Sequence, residues 1–204
     1  VESHTASPGD AKQLLQAAAD SARAMTTAHL LFSSTKVPNL LAQSYSSDVT
    51  ITPAAAARGS ANLKINGAYS QTDFRTHDGD LWIKGTDGNF TNAGPARGRF
   101  DPAVLLDPQR GVAGLVSLVA DARVDEQPVQ LDGHDAVKIT GSLPVQAAAV
   151  LVPASSLGDN EQLPVTLWIG FQKPYTLEQA IVTVGGGSLT LKLSAAEPFT
   201  TNAG

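Results

Sequence analysis

From residue 28 to residue 194 the chain returns again and again to one pattern, short runs of alternating apolar and polar side chains that end at a turn. "AHLLFSST", "YSSDVTIT", "SANLKIN", "AYSQTDFRTH" and "DLWIKG" come first, several of them joined by Gly or Asp-Gly. "ARVDEQPVQLDGHDAVKITGSL" supplies two more strands around Asp132-Gly133. "LPVTLWIG", "TLEQAIVTV" and "SLTLKLS" follow, the last two linked by Gly185, Gly186 and Gly187. Period two sends successive side chains to opposite faces of a sheet, and glycine-containing joints are hairpin chemistry. Such a chain is constrained to a long antiparallel meander with one apolar face. No internal repeat or low-complexity linker divides it, so a single domain is expected over residues 10–204, behind a polar leader over residues 1–9.

Helices interrupt the meander, which makes the class α+β. "DAKQLLQAAADSARAM" reads as a helix with Leu14, Leu15, Ala18, Ala22 and Met25 on one face, and "FDPAVLLDP" supplies a shorter helical piece. Two further stretches are too apolar for an ordinary surface helix. The first, "LLDPQRGVAGLVSLVADARV", carries no charge from Gly111 to Ala120. Asp107 stands where an N-cap is needed and Pro108 at the first helical position, where its missing N–H costs nothing. Steps of 100° place Val112, Leu115, Val116 and Val119 on one side, with Leu118 on one flank and Ala113 and Ala120 on the other. That arc is about twice the roughly 100° stripe of a surface helix. A helix of about fourteen residues is only about 21 Å long, too short to cross a membrane. Either it is sandwiched in a core, or one flank meets protein and the other lines an apolar cavity. "PVQAAAVLV", from Pro144 to Val152, poses the same question.

Composition narrows the chemistry. Aromatic residues are only 5% of the chain against 42% hydrophobic, and a core of Ala, Val and Leu leaves internal space more easily than one of large rings. The formal charge of −5 argues against nucleic acid or anionic lipid surfaces as electrostatic partners. With no cysteine, disulfides, thiol catalysis and Cys-type zinc sites are excluded. His4 lies in the leader, and His77 and His134 adjoin Asp-Gly turns. His29 opens a strand as a structural histidine. There is no Gly-x-Ser-x-Gly elbow, and no nucleophile is paired with a base. "HDGD" and "DGN" lack the spacing of a calcium loop and fit hairpin turns. "GGGS" precedes a strand and not a helix, so it is no phosphate cradle. No catalytic residue, no metal and no cofactor are expected, and the chain does not read as an enzyme.

Short motifs in a fixed order resemble the mycobacterial envelope lipoproteins of the LppX, LprA, LprF and LprG group. They are Gly94-Pro95-Ala96 before Phe100-Asp101-Pro102; Leu106-Asp107-Pro108 before Gly111-Val112; Asp132-Gly133 before Lys138-Ile139-Thr140-Gly141; Pro164 before Thr166-Leu167-Trp168-Ile169; and Glu197-Pro198. The early helix followed by Ala28-His29 also fits. The resemblance implies a half-open antiparallel β-barrel, a curved sheet whose concave face is covered by helices around a large hydrophobic cavity for acyl chains. It further implies a signal peptide ending at a lipid-modified cysteine, hence a periplasmic protein anchored by lipid to the outer face of the plasma membrane. Ala195-Ala196 stand where family members often carry Trp before the terminal Glu-Pro, and "GFQKPYTLEQA" departs from the usual turn.

Given that fold, strand alternation predicts inward cavity positions at Leu63, Ile65, Leu81, Ile83, Val137, Ile139, Val165, Leu167, Ile169, Leu189, Leu191 and Leu193. The helices would add Leu115, Leu118, Val119, Val150 and Leu151. The expected function is carriage of a multi-acyl lipid or glycolipid across the envelope towards the outer membrane, by a monomer. The alternative is a lipid-sensing or scaffolding lipoprotein that signals to a membrane transporter or sensor kinase.

Overall fold

The computed structural model describes residues 8–96, 100–125, 127–172 and 174–201. Most of the leader, His4 included, lies outside these residues. Helix α1 (Pro8–Ala24) is followed by strands β1 (Thr27–Thr35), β2 (Ala42–Thr50), β3 (Ala56–Ile65), β4 (Ala68–His77), β5 (Asp80–Lys84) and β6 (Phe90–Pro95). A 3₁₀ helix (Pro102–Leu106) and α2 (Val112–Ser117) lead into β7 (Ala120–Val124), β8 (Val129–Leu131) and β9 (His134–Pro144). After α3 (Val145–Ala148) and a 3₁₀ turn (Ala154–Ser156) come β10 (Gln162–Gly170), β11 (Leu177–Val184) and β12 (Gly187–Ser194).

The strands form one twelve-stranded sheet in the order β6-β5-β4-β3-β2-β1-β12-β11-β10-β9-β7, with β8 also on β9. Neighbouring strands are antiparallel throughout, and β1 pairs with β12 from His29↔Ser194 to Thr35↔Ser188. The outermost strands β6 and β7 do not meet, so the sheet curves without closing. Its hairpins are set by local chemistry. Asn66-Gly67, Asp78-Gly79 and Asp132-Gly133 all take positive φ at both residues, the type I′ geometry whose twist matches paired strands. Strand β6 has no alternation in "FTNAGP" to announce it. It survives at an edge, where a register shift near Asp80 and Trp82 and a proline are tolerated.

The alternating pattern resolves into two faces. Leu30, Leu63, Phe74, Ile139 and Leu167 are buried on the inner face in one contiguous apolar cluster, while His29, Asp48, Arg58, Trp82 and Trp168 fall on the other parity. Helix α1 lays Leu15, Ala18, Ala19 and Ala22 into the cluster at the spacing of one helical face, and Ala11 is buried on the same side. Leu14 and Met25 are only partly buried against it. Helix α1 contacts α2, β7 and β11, and the 3₁₀ helix contacts β2 and β3, so the helical segments cover the inner face.

The long charge-free helix is where the structure departs most from the sequence. The Asp107 carboxylate does cap, accepting the N–H groups of Gln109 at 2.9 Å and Arg110 at 3.0 Å, but it caps one turn of chain. Helix α2 restarts at Gly111 without a side-chain cap and ends at Leu118. From Ala120 the chain joins the sheet as β7, where Ala120 pairs with Ser142 and Val124 with Ile139. Backbone hydrogen bonds on offer at the edge of β9 outweigh continuation of a helix whose run contains Gly111 and Gly114. "PVQAAAVLV" likewise forms only the single turn α3 before the chain bends at Pro153.

Candidate ligand-binding cleft

Between the inner face and its cover a cleft of about 230 Å³ opens, lined on one side by Tyr45, Phe100, Val104 and Leu105 and on the other by residues 149–153. Tyr45, Phe100, Leu105 and Val152 belong at once to the cleft wall and to the buried cluster. The cleft is therefore the outer end of the apolar layer between sheet and cover. Asp101 is the charged residue among its lining side chains.

Four aromatic rings floor this end of the layer. Phe32 stacks on Tyr45 with centroids 5.1 Å apart and planes at 15°. Phe100 meets Tyr45 edge-on at 5.2 Å and Phe74 edge-on at 4.8 Å. Such offset and edge contacts add to the area buried and fix ring positions. Burial pushes the Tyr45 hydroxyl well above the ordinary phenol range, so this phenol stays neutral throughout the physiological range.

Of the positions expected from alternation, Leu63, Leu81, Ile139, Val165, Leu167, Ile169, Leu189, Leu191 and Leu193 are buried in the apolar cluster, as is Leu115 from α2. Ile83, Val119, Val137, Val150 and Leu151 are partly buried against it. Val150 and Leu151 also line the cleft itself. Two positions are corrected. Ile65 is 37% exposed because it ends β3 beside the Asn66-Gly67 turn, beyond the covered part of the sheet. Leu118 is 51% exposed because α2 stops there, and the helical arc that would have carried it inward does not continue. Tyr45, Phe100, Val104 and Leu105 were missed as cleft residues. Phe100 was visible in the Phe100-Asp101-Pro102 motif, but nothing local shows that this motif packs on β2.

The histidines divide. His77 Nε2 lies 3.1 Å from the Asp78 carboxylate at a hairpin turn, and His134 opens β9 after another turn. His29 corrects the reading that no nucleophile meets a base: its Nδ1 is 2.8 Å from Asp48 Oδ1 and its Nε2 3.3 Å from Ser46 Oγ. These three residues lie on the outer face, away from the cleft. "DGN" is a turn in which Asp87 Oδ1 accepts the Asn89 N–H at 3.0 Å.

An open, curved antiparallel sheet with a helical cover and an apolar cleft defines a recognisable class of envelope lipoprotein fold. The crystal structure of LprF from Mycobacterium bovis superimposes with a TM-score of 0.87 at 25% identity, covering 98% of this chain and 99% of that one. The model of the LppX_LprAFG lipoprotein family matches residues 10–198, and the chain belongs to that family. It is 34% identical over 194 residues to lipoprotein LprA of Mycobacterium tuberculosis, covering 93% of this chain and 79% of that protein. It is 30% identical over 180 residues to the protein named lipoarabinomannan carrier protein LprG of the same species, covering 88% and 75%. These lipoprotein relatives imply a location in the cell envelope.

Proposed function

We propose that the protein binds acylated lipids or glycolipids between its curved sheet and helical cover and carries them across the cell envelope towards the outer membrane. The observation that carries this reading is the cleft whose walls run into the buried apolar layer, in a family that includes a named lipoarabinomannan carrier. Burial of a methylene is worth about 0.8 kcal/mol, so placing a chain of roughly sixteen carbons in water costs on the order of 12 kcal/mol. Two chains cost about twice that. A carrier that exchanges membrane for an apolar protein layer removes most of this barrier without covalent chemistry.

The cleft of about 230 Å³ is smaller than the roughly 300–1,000 Å³ of common small-molecule sites. Loading therefore separates the cover from the sheet, and acyl chains take the place of side-chain contacts. The segment that gives way is residues 149–153, which follow α3, form the outer wall of the cleft and carry Val150 and Leu151. A lipid anchor ahead of the chain holds the carrier at the membrane that supplies its cargo, and one chain suffices as a monomer.

A vesicle transfer assay tests the proposal. Donor vesicles carry a self-quenched fluorescent diacyl glycolipid, and acceptor vesicles carry none. The protein is expected to accelerate dequenching in proportion to its concentration. An unchanged rate at stoichiometric protein would contradict carriage, and lipid binding without transfer would move the reading to a lipid sensor or scaffold.

A further inference from the structure

The outer face of the sheet carries a polar row that lipid carriage does not use. Register places His29 opposite Asp48, Asp48 opposite Arg58 and Arg58 opposite Arg75. Ser46 and Asp48 are two residues apart on β2, so both point outward beside the His29 ring. The Asp48 carboxylate only accepts hydrogen bonds, so its 2.8 Å contact requires the neutral imidazole to carry its proton on Nδ1. Nε2 is then left as the base, 3.3 Å from the Ser46 hydroxyl. Arg58 Nε, 3.8 Å from Asp48 Oδ2, holds the carboxylate from its other side.

From this geometry we infer that Ser46, His29 and Asp48 form an ester-hydrolysing site on the convex face. The chain of contacts has the nucleophile, base and orienting carboxylate in the order that serine acyl transfer requires. It lies in a shallow depression of about 600 Å³ that also includes Arg58, Arg75 and Phe90. The Arg75 guanidinium sits 3.7 Å over the Phe90 ring, and that of Arg58 lies 4.3 Å over Phe199. The C-terminal segment forms a wall, pinned where Thr27 Oγ1 donates to the Ala196 carbonyl and Thr201 Oγ1 to that of Thr76. Asp48 and Asp73 line the same depression and match the two guanidiniums in charge, so this open polar site suits a water-soluble carboxylic ester with a short acyl group and a polar, uncharged alcohol.

In the reaction, Ser46 Oγ bonds to the ester carbonyl carbon while its proton passes to His29 Nε2. The bond to the alcohol oxygen breaks, and that oxygen takes the proton from His29. Water then attacks the acyl-serine, again giving its proton to His29, and the acid leaves as Ser46 is restored. Strand β2 lies between two neighbours, so its N–H groups are committed to the ladder and do not form an oxyanion hole. Activity is correspondingly modest. General-base assistance of this kind contributes about 10²–10⁴-fold.

The test uses the whole chain with a fluorophosphonate probe and 4-nitrophenyl acetate. The expected results are a covalent adduct on the peptide containing Ser46 and ester turnover that falls by about 100-fold or more in both Ser46→Ala and His29→Gln. Asp48→Asn tests positioning: adduct formation slows while the thermal midpoint stays put, because an amide no longer dictates the Nδ1 tautomer. Thermal unfolding and lipid uptake, measured on the same variants, are expected to match the parent, which separates this site from the cleft on the opposite face. No adduct at Ser46, or wild-type turnover in Ser46→Ala, would overturn the inference.

Discussion

Leu63→Trp tests whether the inner face of β3 is the floor of the layer into which acyl chains are proposed to insert. Leu63 is 1% exposed, faces the buried cluster, and lies opposite Ala42 and Ser70 on the neighbouring strands. Ala61, two residues earlier, shares its face. These small neighbours yield part of the space an indole needs, and the rest must come from displaced side chains. Overpacking of this kind costs about 1–3 kcal/mol. In a domain of this size each kcal/mol lowers the midpoint by about 2–4 °C, so delipidated protein should melt about 2–12 °C below the parent. Calorimetry or circular dichroism gives the shift, and mass spectrometry of protein purified with its lipid gives the loading. Because the indole occupies space required by an acyl chain, loading is expected to fall well below the parent in protein that is still folded. An unchanged midpoint together with unchanged loading would refute the placement of Leu63 in that layer.

The revised helix boundary gives a contrast: Leu118→Ser at an exposed position should change stability by less than about 0.5 kcal/mol, whereas Leu115→Ala should cost about 2–5 kcal/mol, both read by urea unfolding. Gly111→Ala should cost about 1–3 kcal/mol in the same assay, since a Cβ there would meet the Leu105 carbonyl oxygen at 2.3 Å and that of Asp107 at 2.7 Å. Asp107→Ala should remove a cap worth about 0.5–2 kcal/mol. Hydrogen bonds from the Arg110 and Gln109 backbone N–H groups hold this carboxyl below the usual carboxylate range. Its contribution is therefore present above the unfolded value of about 3.9 and is lost as pH falls through the lower folded value. The stability gap between parent and variant should be constant at neutral pH and close in strong acid, as thermal unfolding across a pH series will show. Trp82 and Trp168 lie on the outer parity of their strands, so intrinsic fluorescence should respond little to lipid, while Val150→Trp should blue-shift on loading.

Strands were legible because period two and the Asn-Gly and Asp-Gly turns are local signals. Strand β4 runs from Ala68 to His77, the same residues its alternation marks. The edges were not. Strand β6 depends on β5 for its existence, and the chain leaves the helix after Ser117 and enters the sheet at Ala120 because β9 offers a ladder that periodicity cannot reveal. Apolar positions such as Leu167 and Ile139 follow from alternation, while Ile65 shows where alternation fails, at a strand end that the cover does not reach. The cleft was least legible. Tyr45 and Phe100 are distant in sequence, and only the packing of the 3₁₀ helix on β2 makes them neighbours. The same holds for Ser46, His29 and Asp48, which strand pairing brings together and no local motif announces.

Native mass spectrometry of the protein purified from the envelope of a mycobacterial host, followed by solvent extraction and lipid identification, tests the central claim most directly. Carriage predicts a stoichiometric acylated lipid that leaves a mass of the bare chain when extracted and returns when lipid is added back. A bare-chain mass from the start, with no uptake of added diacyl lipid, would contradict it and leave the apolar layer as an ordinary core.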